Sequence, residues 1–264
     1  MIIGQHEFEH TELCMGTVFK FRGRSPLPHG PHISEACDIL HEADRTFSTY
    51  KPESPISRLA RGETSVAAEP PIVGEIWDAC LEWESVTDGW FSAFTPENTF
   101  DPSGLVKTWA AARSAQVLLD AGITDFTLNA GGDVFIADGV TVDEDWRIGI
   151  HKPVSIASAE AGILTVIDLK GTEFRAMATS GSAERGLHIW NPKAGGKAPA
   201  DSLLQVSVVA RDLVTADVWA TASFAEGPVC LQRLAAVDGV EAIIVLPNGD
   251  VAATPGFTKL IARA

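Results

Sequence analysis

The chain has 264 residues, enough to bury a substantial core as one large domain or two small ones. Its 45% hydrophobic and 21% charged residues are ordinary for a folded globular protein and exclude a disordered chain. With 35 acidic against 20 basic side chains the net charge is −15, and no basic run offsets it, so a nucleic-acid backbone or an anionic membrane surface is excluded as a partner.

The N-terminal "MIIGQHEFEHTELCMG" is polar and acidic where a signal peptide needs a basic end and an apolar run, and Cys14 does not resemble a lipid-anchored cysteine. No apolar stretch reaches the length of a membrane span, so a cytoplasmic enzyme is expected unless a leader precedes the chain. Alternation over 15–21 ("MGTVFKF") predicts an early strand. Helices are predicted over 33–47 and 71–87, separated by the loop "STYKPESPISRLARGE" with a short helical piece. A strong helix spans 103–120, ended by Gly122. "FTLNAGGDVFIAD" reads as two short strands interrupted by Gly131 and Gly132, and "WRIGIHKP", "AGILTVIDL" and "EFRAMATSG" are strand-like. After the turn-rich "GLHIWNPKAGGKAPA", the stretch "QVSVVARDLVTADVWATAS" begins as a buried strand and continues as a helix. "VEAIIVLPNGDVAAT" is a hairpin with Asn248-Gly249 at its turn. Strand runs mixed with a few helices predict an α+β fold. The four cysteines, Cys14, Cys37, Cys80 and Cys230, show no C-x-x-C pair and no zinc spacing, and are expected to be isolated core thiols in a reducing compartment.

Four stretches contain chemistry-bearing residues, and each has a plain alternative. In "FDPSGLVK" a turn runs into a helix N-terminus, which suits a phosphate, with Lys107 nearby; the same residues also read as Asp101 or Ser103 capping and Pro102 initiating the helix. The glycines of "NAGGD" mark a bulge or a close approach, not a dinucleotide fingerprint. His188, beside Ile189 and Trp190, has no partner in sequence for a catalytic triad and also reads as a structural histidine. Asp217 and Thr221 share a helix face at i and i+4 and supply two oxygens of the kind a hard cation takes, unless Asp217 merely caps or offsets the helix dipole.

Together these stretches resemble the ApbE-type FAD:protein FMN transferases. The family's early M-G-T is matched by Met15-Gly16-Thr17, and its S-x-Y-x-x-x-S-x-[IL]-S by "STYKPESPIS". Its D-x-[SG]-[GA]-I-A-K-G-[YW]-A is similar to "DPSGLVKTWA", and V-N-x-G-G-D to "LNAGGD". A-T-S-G and H-I-I-D-P-x-x-G are similar to "ATSG" and "HIWNPKAG", and T-A-D-A-L-A-T-A to "TADVWATA". The chain departs from the family at Ser92, Thr108 and Asn191, where Asp, Gly and Asp are usual.

The resemblance implies one flavin transferase domain over 1–264, with mixed sheets and packed helices in two lobes around a central FAD cleft. It implies cleavage of FAD and transfer of FMN, through a phosphoester bond, to a Thr or Ser of an acceptor protein with a D-x-x-[ST]-G-A-[ST]-like motif, releasing AMP. Met15, Tyr50, Trp90, Phe91 and Ser92 would line the flavin and adenosine sites; Asp101 and Lys107 would contact FAD, faced by Thr179, His188 and Ile189. The Gly104 carbonyl, Asp217 and Thr221 would hold Mg²⁺, or Mn²⁺ in its place, and His188 would take the acceptor hydroxyl's proton. FAD pyrophosphatase activity, with water as acceptor, and a non-catalytic flavin-binding role are the alternatives.

Overall fold

A computed structural model describes residues 6–153, 162–181, 189–194, 196–197 and 202–262. It is α+β, as expected, and the chain forms two compact units: Met1–Gly132 with Ala137–Val140, and Asp133–Ile136 with Thr141–Ala264.

The first unit opens with a hairpin of β1 (His6–Cys14) and β2 (Thr17–Ser25), paired from His6 opposite Ser25 to Cys14 opposite Thr17. Met15 and Gly16 form its two-residue loop at φ 51° and 68°, the positive values that a tight hairpin of native twist requires. The expected strand 15–21 is therefore corrected: its first two residues turn, and a strand lies on each side. Phe19 and Phe21 alternate inward and are fully buried.

Helix α1 (Gly30–Phe47) begins before the expected 33 because Pro31 is preset for a first helical turn. α2 (Pro55–Ala60) and α3 (Pro71–Val86) follow, and Thr87 closes α3 by donating its hydroxyl to the Trp83 carbonyl at 2.7 Å. α4 (Ser103–Asp120) matches the expected helix and packs on α1, where Ser114 donates to the Ala36 carbonyl at 2.8 Å. β3 (Asp125–Ala130) then pairs antiparallel with β2.

All four thiols are free and buried, as expected, and two of them lie against histidines. Cys14 Sγ lies 3.6 Å from His41 Nδ1, and Cys37 Sγ lies 3.4 Å from His10 Nε2. A strand's period of two and a helix's i, i+4 spacing bring these residues together, so no compact cysteine motif announces them. Burial pushes the Cys14 thiol up to about 11 and the Cys37 thiol up to about 12, with Asp44 adding to the first and Glu12 to the second.

The second unit contains β4 (Asp133–Ile136), an antiparallel pair β5 (Arg147–His151) and β6 (Ile163–Asp168), then β7 (Ala176–Gly181). A short pair, β8 (Trp190–Asn191) and β9 (Gly196–Lys197), precedes β10 (Gln205–Ala210), α5 (Leu213–Glu226) and α6 (Cys230–Leu234). β11 (Val240–Val245) and β12 (Val251–Ala253) form the expected hairpin, with Gly249 at φ 86° in its turn. Within this unit the sheet runs β4-β7-β10-β11-β12, and every residue of β10 is buried. α5 packs on β7 and β10. Among the described residues no helix is long and apolar enough to cross a membrane.

The turn after β3 is locked by a close approach. Gly131, at φ 66°, has its N–H on the Val18 carbonyl at 2.9 Å, and a Cβ there would sit 2.3 Å from Thr17 Oγ1. Gly131→Ala is expected to cost about 2–4 kcal/mol, from left-handed strain plus overpacking. Adding Thr17→Ala should recover part of that loss; urea denaturation of the two single variants and the double variant measures the coupling.

Candidate functional site

In the first unit, "DPSG" is a helix entrance with Pro102 at the N-cap position and no side-chain cap bond, so neither Asp101 nor Ser103 caps α4. Asp101 Oδ1 accepts the Ser103 N–H at 3.0 Å and also the Ser103 hydroxyl, while the Asp101 N–H donates to the Ala93 carbonyl at 2.7 Å. Gly104 lies in the first turn of α4, and a Cβ on it would meet Phe91 Cε2 at 3.3 Å, so the buried Phe91 ring rests on the helix start. Trp90 and Lys107 are half-buried. Ser92 donates to Glu84 Oε2 at 3.3 Å and accepts the Phe94 N–H at 3.1 Å.

Two further motifs of this unit have a structural explanation. Ser48, Ser54 and Ser57 of "STYKPESPIS" tie the loop to itself: the Ser54 and Ser57 hydroxyls donate to the Ser48 carbonyl at 2.6 and 3.3 Å, and Ser54 Oγ caps α2 through the Ser57 N–H. Ile56 anchors the loop in the core, and Tyr50 projects from it 94% exposed. Arg58 holds Glu69 through two nitrogens, which keeps that carboxyl below its ordinary range. Met15 sits at the β1–β2 tip with a left-handed backbone, a conformation that costs a non-glycine residue about 1–2 kcal/mol.

In the second unit the helix expected after β10 is present, and its cap is Asp212. Asp212 accepts the Thr215 N–H at 2.8 Å and the Thr215 hydroxyl at 2.7 Å. Asp217 is therefore not the cap. It sits in the body of α5 at 5% exposure, a position costly for a carboxylate unless partners compensate it. One turn on, Thr221 Oγ1 lies 3.3 Å from Ser180 Oγ of β7. Ser180 was missed by sequence reasoning; the signal was its place next to Thr179 in "ATSG", since neighbours on a strand face opposite ways.

Thr179 accordingly points to the other face of the sheet from Thr221. Its hydroxyl is 2.8 Å from Ser207 Oγ, its N–H donates to Asp133 Oδ1 at 3.1 Å, and Gln205 joins Ser207 at 3.3 Å. Ile189 is half-buried before β8, where Asn191 Oδ1 accepts the N–H groups of Lys193 and Ala194 at 3.0 and 3.1 Å. That is a turn-capping bond an aspartate in the same place would also make. His188 lies outside the described residues.

The donors on α5 and β7 fit a hard divalent cation: one buried carboxylate not used as a cap and two hydroxyls, with no sulfur or imidazole among them. The ApbE family model matches residues 93–244, more than half of the chain. The chain belongs to the ApbE family. The matched span contains Asp101, Gly104, Lys107, Asp217 and Thr221.

An FAD:protein FMN transferase of Rhodobacter capsulatus is 33% identical over 147 residues, which cover 52% of this chain and 26% of that one. One from Klebsiella pneumoniae is 24% identical over 164 residues, 59% of this chain and 45% of that one. This chain thus spans less than half the length of these curated ApbE relatives. The flavin transferase ApbE of Vibrio cholerae superposes with a TM-score of 0.79 at 19% identity, covering 97% of this chain and 100% of that one. The ApbE protein of Thermotoga maritima gives 0.79 at 21% identity, with 98% and 100% covered.

Cap and carboxylate separate cleanly on α5. Asp212→Ala is expected to cost about 1 kcal/mol of stability in denaturant unfolding, the ordinary loss for a side-chain N-cap.

Proposed function

We propose that this protein is a Mg²⁺-dependent FAD:protein FMN transferase. The observation that carries the reading is the buried Asp217 on α5, with the Thr221 and Ser180 hydroxyls one turn along, in a chain of the ApbE family whose named relatives are FAD:protein FMN transferases. Asp217 and Thr221 would hold the cation, Mg²⁺ or Mn²⁺. When bound, the cation would neutralise charge on the FAD pyrophosphate.

The chain's own residues account for the remaining steps. Lys107, in the N-terminal part of α4, would add positive charge at the phosphates of FAD, and the α4 N-terminus a further partial charge. Tyr50 and Trp90 offer aromatic faces, and Met15, Phe91 and Ser92 the rest of the lining, for flavin and adenosine. The acceptor is a Thr or Ser hydroxyl within a D-x-x-[ST]-G-A-[ST]-like motif. Its oxygen attacks the phosphorus that bears riboflavin, a new P–O bond forms, the bridging P–O bond breaks, and AMP departs with the electron pair. His188 takes the hydroxyl proton; an imidazole titrates near neutrality and suits that role. Thr179 and Ile189 would add further contacts to FAD.

Mass spectrometry of an acceptor peptide incubated with enzyme, FAD and Mg²⁺ tests the reading. A peptide gaining the mass of FMN less water, with AMP in equal amount, is the expected result; free FMN and AMP with an unmodified peptide would mean a pyrophosphatase. Asp217→Ala should lower metal-dependent turnover by about 100-fold or more, and transfer at the wild-type rate would overturn the metal assignment. His188→Ala should slow transfer about 10²–10⁴-fold and flatten the acid limb of the pH–rate profile.

A further inference from the structure

A second group of metal-ligating side chains lies in the first unit and shares no residue with the Asp217–Thr221 pair. His10, Glu12 and Cys14 follow one another at alternate positions of β1, so all three side chains leave the same face of the strand. Cys37 and His41, one turn apart on α1, meet them. His10 Nε2 is 3.2 Å from Glu12 Oε2 and 3.4 Å from Cys37 Sγ, and the three donor atoms all lie within 4.8 Å of one another. His41 Nε2 reaches the other Glu12 oxygen, Oε1, at 3.1 Å, and Cys14 stands behind His41 at 3.6 Å.

We propose that His10, Glu12 and Cys37 form a site for a single zinc ion. Tetrahedral angles at ordinary Zn–N, Zn–O and Zn–S lengths put neighbouring donors about 3.3–3.6 Å apart; His10 stands 3.4 Å from Cys37 and slightly closer, 3.2 Å, to Glu12. One thiolate, one imidazole and one carboxylate form a donor set that suits zinc and does not suit Mg²⁺. His41 completes the arrangement from outside: it fixes the second carboxylate oxygen and so orients Glu12, as partners behind a metal ligand do.

Access and enclosure also agree. Cys37 is 7% exposed and the His10 side chain 39%, so the group is walled on the protein side and open on the other. It opens into a cleft of about 370 Å³ lined by Phe8, His10, Glu12, His29, Ile33 and Cys37, which leaves a fourth position for water. An ion there would join β1 to α1 through its own bonds, stapling the N-terminal hairpin to the first helix.

The test uses the full chain, stripped with chelator and then equilibrated with Zn²⁺ or Co²⁺ against a competing metal dye. One Zn²⁺ per chain by elemental analysis is expected, together with a thiolate-to-Co²⁺ charge-transfer band and the visible spectrum of tetrahedral Co²⁺. Cys37→Ser should abolish the charge-transfer band and His10→Gln the retention of Zn²⁺; His41→Gln should weaken binding about 10–100-fold. Cys230→Ala, a buried thiol of the other unit, should bind as the wild type does. Zn²⁺ retained equally by Cys37→Ser, or Co²⁺ bound without a thiolate band in the wild type, would overturn the assignment. The wild-type Co²⁺ spectrum needs no variant, so it decides the matter even if a substitution unfolds the protein.

Discussion

The packing of α5 on β7 and β10 around a buried carboxylate is the constraint on which the second unit depends. Asp217 lies between Ala216 and Val218 on a helix whose neighbours toward the sheet are small, among them the fully buried Ala220 and Ala178. Small side chains let helix and sheet approach closely enough for Thr221 and Ser180 to come within 3.3 Å. A larger residue at those positions would lift the helix and separate the hydroxyls. The alanine-rich composition is thus part of how α5 seats on the sheet, whose strand β10 is buried throughout.

The first unit is held by contacts between motifs distant in sequence. Thr17, just past the hairpin tip, rests on Gly131, more than a hundred residues on, and only a glycine tolerates that contact with its backbone at φ 66°. Phe91 rests on Gly104 in the same manner. Residues that look like separate signatures along the chain, such as Thr17 and Gly131, are therefore two sides of single packing contacts.

Much of this was legible in the sequence because it rests on local rules. α4 was read from its turn, its length and its terminating glycine; α5 and the final hairpin followed from equally local signals. β1 was not legible, for a physical reason. Its inward face carries Phe8, His10, Glu12 and Cys14 while Leu13 is 73% exposed, so polarity runs opposite to the usual strand pattern. Side chains that satisfy one another across β1 and α1 replace apolar contact there, and a one-dimensional pattern cannot register a partner 27 residues away. Likewise the capping role given by Asp212 instead of Asp217 follows from where the helix starts, and Ser180 from which face of a strand each residue takes.

Tyr50 brings a practical consequence. It is the chain's single tyrosine, and its ring stands 94% exposed on a loop fixed beneath it by three serines and Ile56. A ring with no packing to lose accepts isotopic or fluorine substitution without disturbing the fold. Biosynthetic fluorotyrosine would thus give a one-line ¹⁹F spectrum, a resonance assigned by composition alone, whose shift and width report what approaches that loop.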